Sequence, residues 1–97
     1  MKKITGKDIK PRTFEVSYVD RKKEEYHTEV SSMFGELTDL ELITEIIEAF
    51  KTKGYKVICI VEMLNGISMK ESQEMVANNP VEAINNIKIR YVDKDYV

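Results

Sequence analysis

The chain has a single histidine and a single cysteine, the two side chain types most suited to catalysis or metal binding. A catalytic histidine needs a neighbouring group to hold its tautomer, and His27 lies on the outward face of a predicted strand. Cys59 lies inside the apolar run 57–61, where a cysteine packs as a small hydrophobe instead of ionising to a thiolate. One histidine and one cysteine also exclude a tetrahedral zinc site within one chain.

Phosphate-binding loops are missing from the sequence as well. The four glycines are isolated from one another, and no G-x-x-x-x-G-K motif occurs. The sequence therefore predicts no catalytic, cofactor-binding or metal-binding residues, and a protein that is not an enzyme.

Carboxylates recur at helical spacing in one segment. Glu41, Glu45 and Glu48 form an acidic ridge on one side of a predicted helix. Such exposed carboxylates are usually only solvated and repel one another weakly. The functional alternative is that the acidic ridge docks on a basic partner.

Methionines near predicted loops form a second candidate contact surface. Their flexible thioethers suit adaptable interfaces, although filling gaps in a small core is their more common use. The candidate protein contacts in this set are Met33, Phe34, Met63 and Met69.

Basic residues could contact phosphate in a different interpretation. The net charge of −2 disfavours generic nucleic-acid binding, because proteins that neutralise phosphate are normally basic. A local basic patch could still bind the phosphates of a nucleic acid. The candidate residues are Lys2, Lys3, Lys7, Arg21, Lys22, Lys23, Lys88 and Arg90.

The elements that would position these residues follow from hydrophobic periodicity and capping signals. Alternation predicts two strands joined by a charged turn, and a third strand is apolar on both faces. Capping boxes open helices at Thr38 and Ser68, and Asn79-Pro80 opens another. The predicted order is β-β-α-β-α-α-β, an α+β fold with a mostly antiparallel four-stranded sheet and helices packed on one face. The predicted core is Phe14, Val16, Tyr18, Val30, Ile43, Ile47, Phe50, Val57, Ile58, Ile60 and Ile89.

A length of 97 residues allows one domain. We expect a basic, partly flexible leader over 1–11, a single α+β domain over 12–92 and a frayed tail over 93–97. A lone cysteine and an N-terminus without a signal peptide favour the cytoplasm, and no apolar run is long enough to cross a membrane.

The leading functional hypothesis is a small non-enzymatic interaction module that binds and modulates another protein. Its size and composition are typical of accessory proteins of phages and mobile elements. Three alternatives remain open: a nucleic-acid-binding module, a homodimer formed through a sheet edge, and an enzyme or small-ligand binder whose site forms only across a dimer interface where two His27 side chains meet.

Overall fold

The computed structural model describes residues 11–32 and 37–95, which form one small α+β domain. The predicted fold class and element order are confirmed. The elements are β1 (Arg12–Val19), β2 (Glu25–Ser32), α1 (Asp39–Thr52), β3 (Lys56–Met63), α2 (Met69–Asn78), α3 (Pro80–Asn86) and β4 (Ile87–Val92).

The four strands form one antiparallel sheet in the order β2-β1-β3-β4. β1 and β2 form the predicted hairpin, and Asp20 stabilises its turn by accepting hydrogen bonds from the backbone N–H groups of Lys22 and Glu24. Among the described residues the sheet thus ends in two edge strands that differ in character: six of the eight residues of β2 are polar, whereas four of the six residues of β4 are apolar or aromatic.

The pairing of β3 with β4 contains a β-bulge. Ile60 pairs with Tyr91 and Val61 pairs with Ile89, so Arg90 has no partner of its own in the register. A bulge residue changes the alternation of side chains between the two faces. As a result, Ile89 and Val92 lie on one face of the sheet although they are three positions apart.

Helix α1 packs on the sheet face that carries Phe14 and Val16. Its start is held by the predicted capping box, in which the Thr38 hydroxyl accepts from the Glu41 N–H and the Glu41 carboxylate accepts from the Thr38 N–H. The helix ends at Thr52, with Lys53 as C-cap, and the next residue, Gly54, has a φ of 85°, the left-handed conformation that glycine adopts freely.

Most of the predicted core is confirmed. Six of the eleven predicted residues are buried, namely Phe14, Val16, Ile43, Val57, Ile58 and Ile60, and four more pack against the core while partly exposed, namely Tyr18, Val30, Ile47 and Phe50. Ile89 was wrongly placed there: it is 61 % exposed, because it belongs to an edge strand and lies on the face away from α1.

Helices α2 and α3 follow their predicted caps at Ser68 and Asn79. Helix α2 contacts the sheet residues that alternate with Phe14 and Val16: the Gln73 amide donates to Glu15, and the Met69 N–H donates to Glu29. The sequence predicts that the helices pack on one face of the sheet. In the structure they touch both faces, α1 on one side and α2 on the other.

The chain continues in an ordered conformation just beyond β4. The Asp93 N–H donates to the Ile58 carbonyl at 2.9 Å, and the Asp93 carboxylate lies 3.3 Å from Lys56 Nζ. Residue 93, which the sequence assigns to a frayed tail, thus still pairs with the sheet. Within the described ranges, no helix is long and apolar enough to cross a membrane.

Candidate functional site

An ionic network lies where α1 begins, and the sequence analysis did not identify it. Glu62 on β3 is only 6 % exposed and accepts two hydrogen bonds from Arg12, to Oε2 at 2.9 Å and to Oε1 at 2.7 Å. Arg90 also donates to Glu62 Oε1 at 2.9 Å, and both arginines reach Asp39. The available signal was a carboxylate inside an apolar strand, which requires a partner when buried.

The network stabilises the ionised form of its acids. Hydrogen bonds from Arg12 hold the pKa of Glu62 below its ordinary value, although burial acts in the opposite direction. The pKa of Asp39 is lowered by the same arginine. The network joins β1, β3, β4 and α1. Because its charges pair with one another, we interpret it as a structural feature of the fold.

His27 belongs to a second polar cluster, on the sheet face away from α1. The Ser17 hydroxyl lies 2.8 Å from His27 Nδ1, and His27 Nε2 lies 3.0 Å from Glu25 Oε2. With the proton on Nε2, the imidazole donates to Glu25 and accepts from Ser17, the order of groups in a hydrolase triad. Five cavities of about 240 to 460 Å³ within residues 11–32 and 37–95 are lined by residues other than Ser17, Glu25 and His27. The cluster therefore has the order of groups of a triad but does not line any of these five cavities.

Cys59 lies on the same face as Ser17, its partner in the neighbouring strand. It is half-buried, and burial together with the charge of Glu15 raises the pKa of its thiol. Both causes disfavour the thiolate that nucleophilic chemistry requires.

A largely apolar groove lies between α2, α3 and β4. Its volume is about 460 Å³, and it is lined by Val76, Pro80, Ala83, Ile84, Ile87, Lys88 and Ile89. Ile84 is 75 % exposed, and Val76 and Val81 are also exposed. We refer to this groove and its exposed rim as the α3–β4 surface. The sequence does not predict this surface, because helical periodicity alone does not show that α3 leaves its apolar side chains uncovered.

Aromatic side chains gather near the hairpin turn. The rings of Tyr18 and Tyr26 stack with centroids 5.5 Å apart, and Tyr55 lies 4.9 Å from Tyr18. A cavity of about 330 Å³ beside them is lined by Asp20, Arg21, Lys22, Glu24, Tyr26, Lys53, Gly54 and Tyr55. The Tyr26 hydroxyl donates hydrogen bonds to Glu24 and Asp20, and these raise the pKa of Tyr26 to about 12. We refer to these lining residues as the hairpin cleft.

The predicted contact residues do not form one surface. Met63 is buried and Met69, the first residue of α2, is half-buried, while Met33 and Phe34 lie outside the described residues. The structure thus removes Met63 from the candidate contact set, because its side chain packs inside the fold. The acidic ridge of Glu41, Glu45 and Glu48 is exposed on α1, although Glu41 also serves as part of the cap.

The predicted phosphate contacts are also divided. Arg21, Lys22 and Lys23 lie at the hairpin turn, whereas Lys88 and Arg90 lie near Glu62, at the other end of β1. Eight strand residues separate the two ends, roughly 26 Å at the usual rise per residue. Arg90 is moreover engaged with Glu62 and Asp39. Lys2, Lys3 and Lys7 lie outside the described residues.

Comparison with known proteins adds no relative: no family model, curated protein or solved structure matches this chain.

Proposed function

We propose that this protein is a small non-enzymatic interaction module that binds a protein partner through the α3–β4 surface. The observation that carries the proposal is the groove of about 460 Å³ with exposed Ile84 and Ile89 at its rim. Large exposed apolar patches are uncommon on monomeric proteins and mark sites where another molecule binds. The biological setting that we propose with it is a cytoplasmic accessory protein of a phage or mobile element.

The position of the surface supports a protein partner over a small ligand. It is an open groove between a helix and a strand that ends the sheet of the described residues, so an occupant could contact apolar side chains and the backbone groups on the far side of β4 together. The acidic ridge lies on α1, on the other face of the sheet, and would serve a second contact to a basic partner.

The test is affinity capture of the tagged chain from cells that also express an untagged copy, with nuclease present. We expect a stoichiometric protein, either the untagged copy or another protein, to be retained by the wild type and lost with Ile84→Glu. The matched control is Leu40→Glu, which places the same charge on an equally exposed residue of α1. Equal recovery with Ile84→Glu, or no stoichiometric partner for the wild type, would overturn the proposal.

A second candidate function, single-stranded nucleic-acid binding, is favoured by the hairpin cleft. Proteins that bind single strands combine cations for the phosphates with aromatic rings on which bases stack. The cleft places Arg21, Lys22 and Lys53 beside Tyr26 and Tyr55. Asp20 and Glu24 in the same cleft weaken this field, which is why we rank this function second.

Its test is the fluorescence anisotropy of a labelled single-stranded oligonucleotide titrated at several salt concentrations. Binding should weaken steeply with salt and be lost with Lys22→Glu, whereas Lys70→Glu on α2 should bind as the wild type does. Absence of binding at low salt would exclude this function.

A further inference from the structure

We propose that the partner on the α3–β4 surface is a second copy of this chain, with the two β4 strands paired antiparallel about a two-fold axis. This inference rests on the proposed function, because it requires the same surface to be a protein-binding site. Three observations carry it: the character of the edge, the faces set by the bulge, and the charges along β4.

The two edges of the sheet differ in their suitability for pairing. Within the described residues, β4 pairs with β3 on one side and ends the sheet on the other. It presents Ile87, Ile89 and Val92 on the face away from α1, next to the groove. β2, at the opposite edge, carries Glu25 and Glu29 on one face, and like charges of this kind discourage pairing with another strand. β4 also carries two charges, Lys88 and Arg90, but Arg90 is already paired with Glu62 and Asp39.

The bulge at Arg90 restricts the registers that this pairing can adopt. In an antiparallel pair, residues directly opposite each other must lie on the same face of the sheet. Ile89 and Val92 share one face, because they pair with Val61 and Cys59. Lys88 pairs with Glu62, and Asp93 lines a cavity with Ile47 of α1, so both lie on the other face.

These faces match when Ile89 lies opposite Val92 of the second copy. In that register Lys88 lies opposite Asp93 of the second copy, which brings a cation to a carboxylate that already contacts Lys56. A register shifted by one residue would oppose residues from different faces, such as Ile89 and Tyr91. Apolar contact and charge complementarity therefore agree on one arrangement.

The same arrangement fills the groove. A two-fold axis perpendicular to the sheet keeps α3 of both copies on one side. The antiparallel direction brings Val92 of the second copy beside Ile89, at the mouth of the groove that Ile84 and Ile87 line. The product is a continuous eight-stranded sheet with β2 at both outer edges. The two His27 side chains then lie at opposite ends of the dimer, which argues against a shared histidine site.

The test combines sedimentation velocity with site-specific disulfide formation. The wild type should sediment with twice the mass of one chain. For the disulfide assay, Cys59→Ser is the background, because Cys59 is the β3 neighbour of residue 92 and would form a disulfide with a cysteine there. The informative variant adds Ile89→Cys and Val92→Cys. Directly opposed residues have Cα atoms about 4.5 to 5.5 Å apart, within the range that a disulfide bridges.

We expect mild oxidation to convert this variant to a covalent dimer. The matched controls carry Ile89→Cys or Val92→Cys alone and should remain uncrosslinked, since residue 89 is displaced by three positions, about 10 Å, from residue 89 of the second copy. A monomeric wild type, or equal cross-linking by a single variant, would overturn the dimer. If a different protein were still captured through Ile84, the proposed function would stand while this inference failed.

Discussion

Arg12 and Glu62 form a two-point ion pair across β1 and β3 although 50 positions separate them in the sequence. The guanidinium also lies 5.4 Å from the centre of the Phe14 ring, so the pair sits directly against the apolar core. Arg90 binds the same carboxylate from β4, and Asp39 joins both arginines to the start of α1. Glu62 is thus the point at which three strands and the main helix are joined.

Removal of the Glu62 carboxylate should destabilise the domain substantially. Glu62→Leu leaves two arginines with only Asp39 as a partner, and loss of one member of a buried ion pair costs about 3–5 kcal/mol. We expect the low end of that range, because the Arg12 side chain is already 25 % exposed. Urea denaturation followed by circular dichroism measures the change. Asp39→Asn, a more exposed member of the network, should have a smaller effect, and equal effects would contradict the central role of Glu62.

Stability should depend on pH through the same carboxylate. The pKa of Glu62 in the folded protein is held below its ordinary value of 4.5, so the unfolded chain binds more protons in acid. The resulting stabilisation is complete above pH 4.5 and is lost as the pH falls through the folded pKa. Asp39 and Asp20, whose pKa values are also lowered, act in the same direction. Urea midpoints measured over an acid pH series should fall in the wild type and fall less steeply in Glu62→Gln; parallel curves would refute the assignment.

Two leucines of α1 provide a matched test of the core. Leu42 is 3 % exposed, whereas Leu40 is 76 % exposed. Leu42→Ala should cost about 2–5 kcal/mol, because the lost transfer free energy adds to the cavity left behind. Leu40→Ala should leave the free energy of unfolding almost unchanged. Similar losses in the two variants would mean that α1 packs through a different face.

The capping box of α1 can be tested by the same substitution at two threonines. Thr38→Ala removes the oxygen that accepts from the Glu41 N–H and should lower the free energy of unfolding by about 1 kcal/mol. Thr44 lies in the helix interior, where its hydroxyl only donates to the Leu40 carbonyl. Because alanine favours helix, Thr44→Ala should be neutral or slightly stabilising. Thermal unfolding of both variants decides between these outcomes.

Cys59 should react slowly with alkylating reagents in the folded protein. Burial and the Glu15 carboxylate raise the pKa of its thiol above the ordinary value of 9.0, which reduces the thiolate fraction at mildly alkaline pH. The rate of iodoacetamide modification, followed by mass spectrometry, should rise when the chain is unfolded in urea. Glu15→Gln should raise the rate in the folded protein modestly. A rate equal to that of the unfolded chain would show that Cys59 is accessible and activated.

Local chemistry in the sequence determined the elements and their order. Thr38 with Glu41, Ser68 with Glu71, and Asn79 with Pro80 each satisfy helix N–H groups within one turn, so the starts of all three helices were predicted correctly. The alternation around Phe14 and Val16 likewise identified a strand, because it reflects one buried face.

Only the tertiary structure decided what depends on contacts between distant segments. The partners of Glu62 come from residues 12 and 90, and no periodicity connects them. The order of strands made β4 an edge and left Ile89 exposed, while the bulge at Arg90 determined which of its neighbours share a face. The α3–β4 surface exists for the same reason: local patterns show which side chains are apolar, but only packing determines which of them remain uncovered.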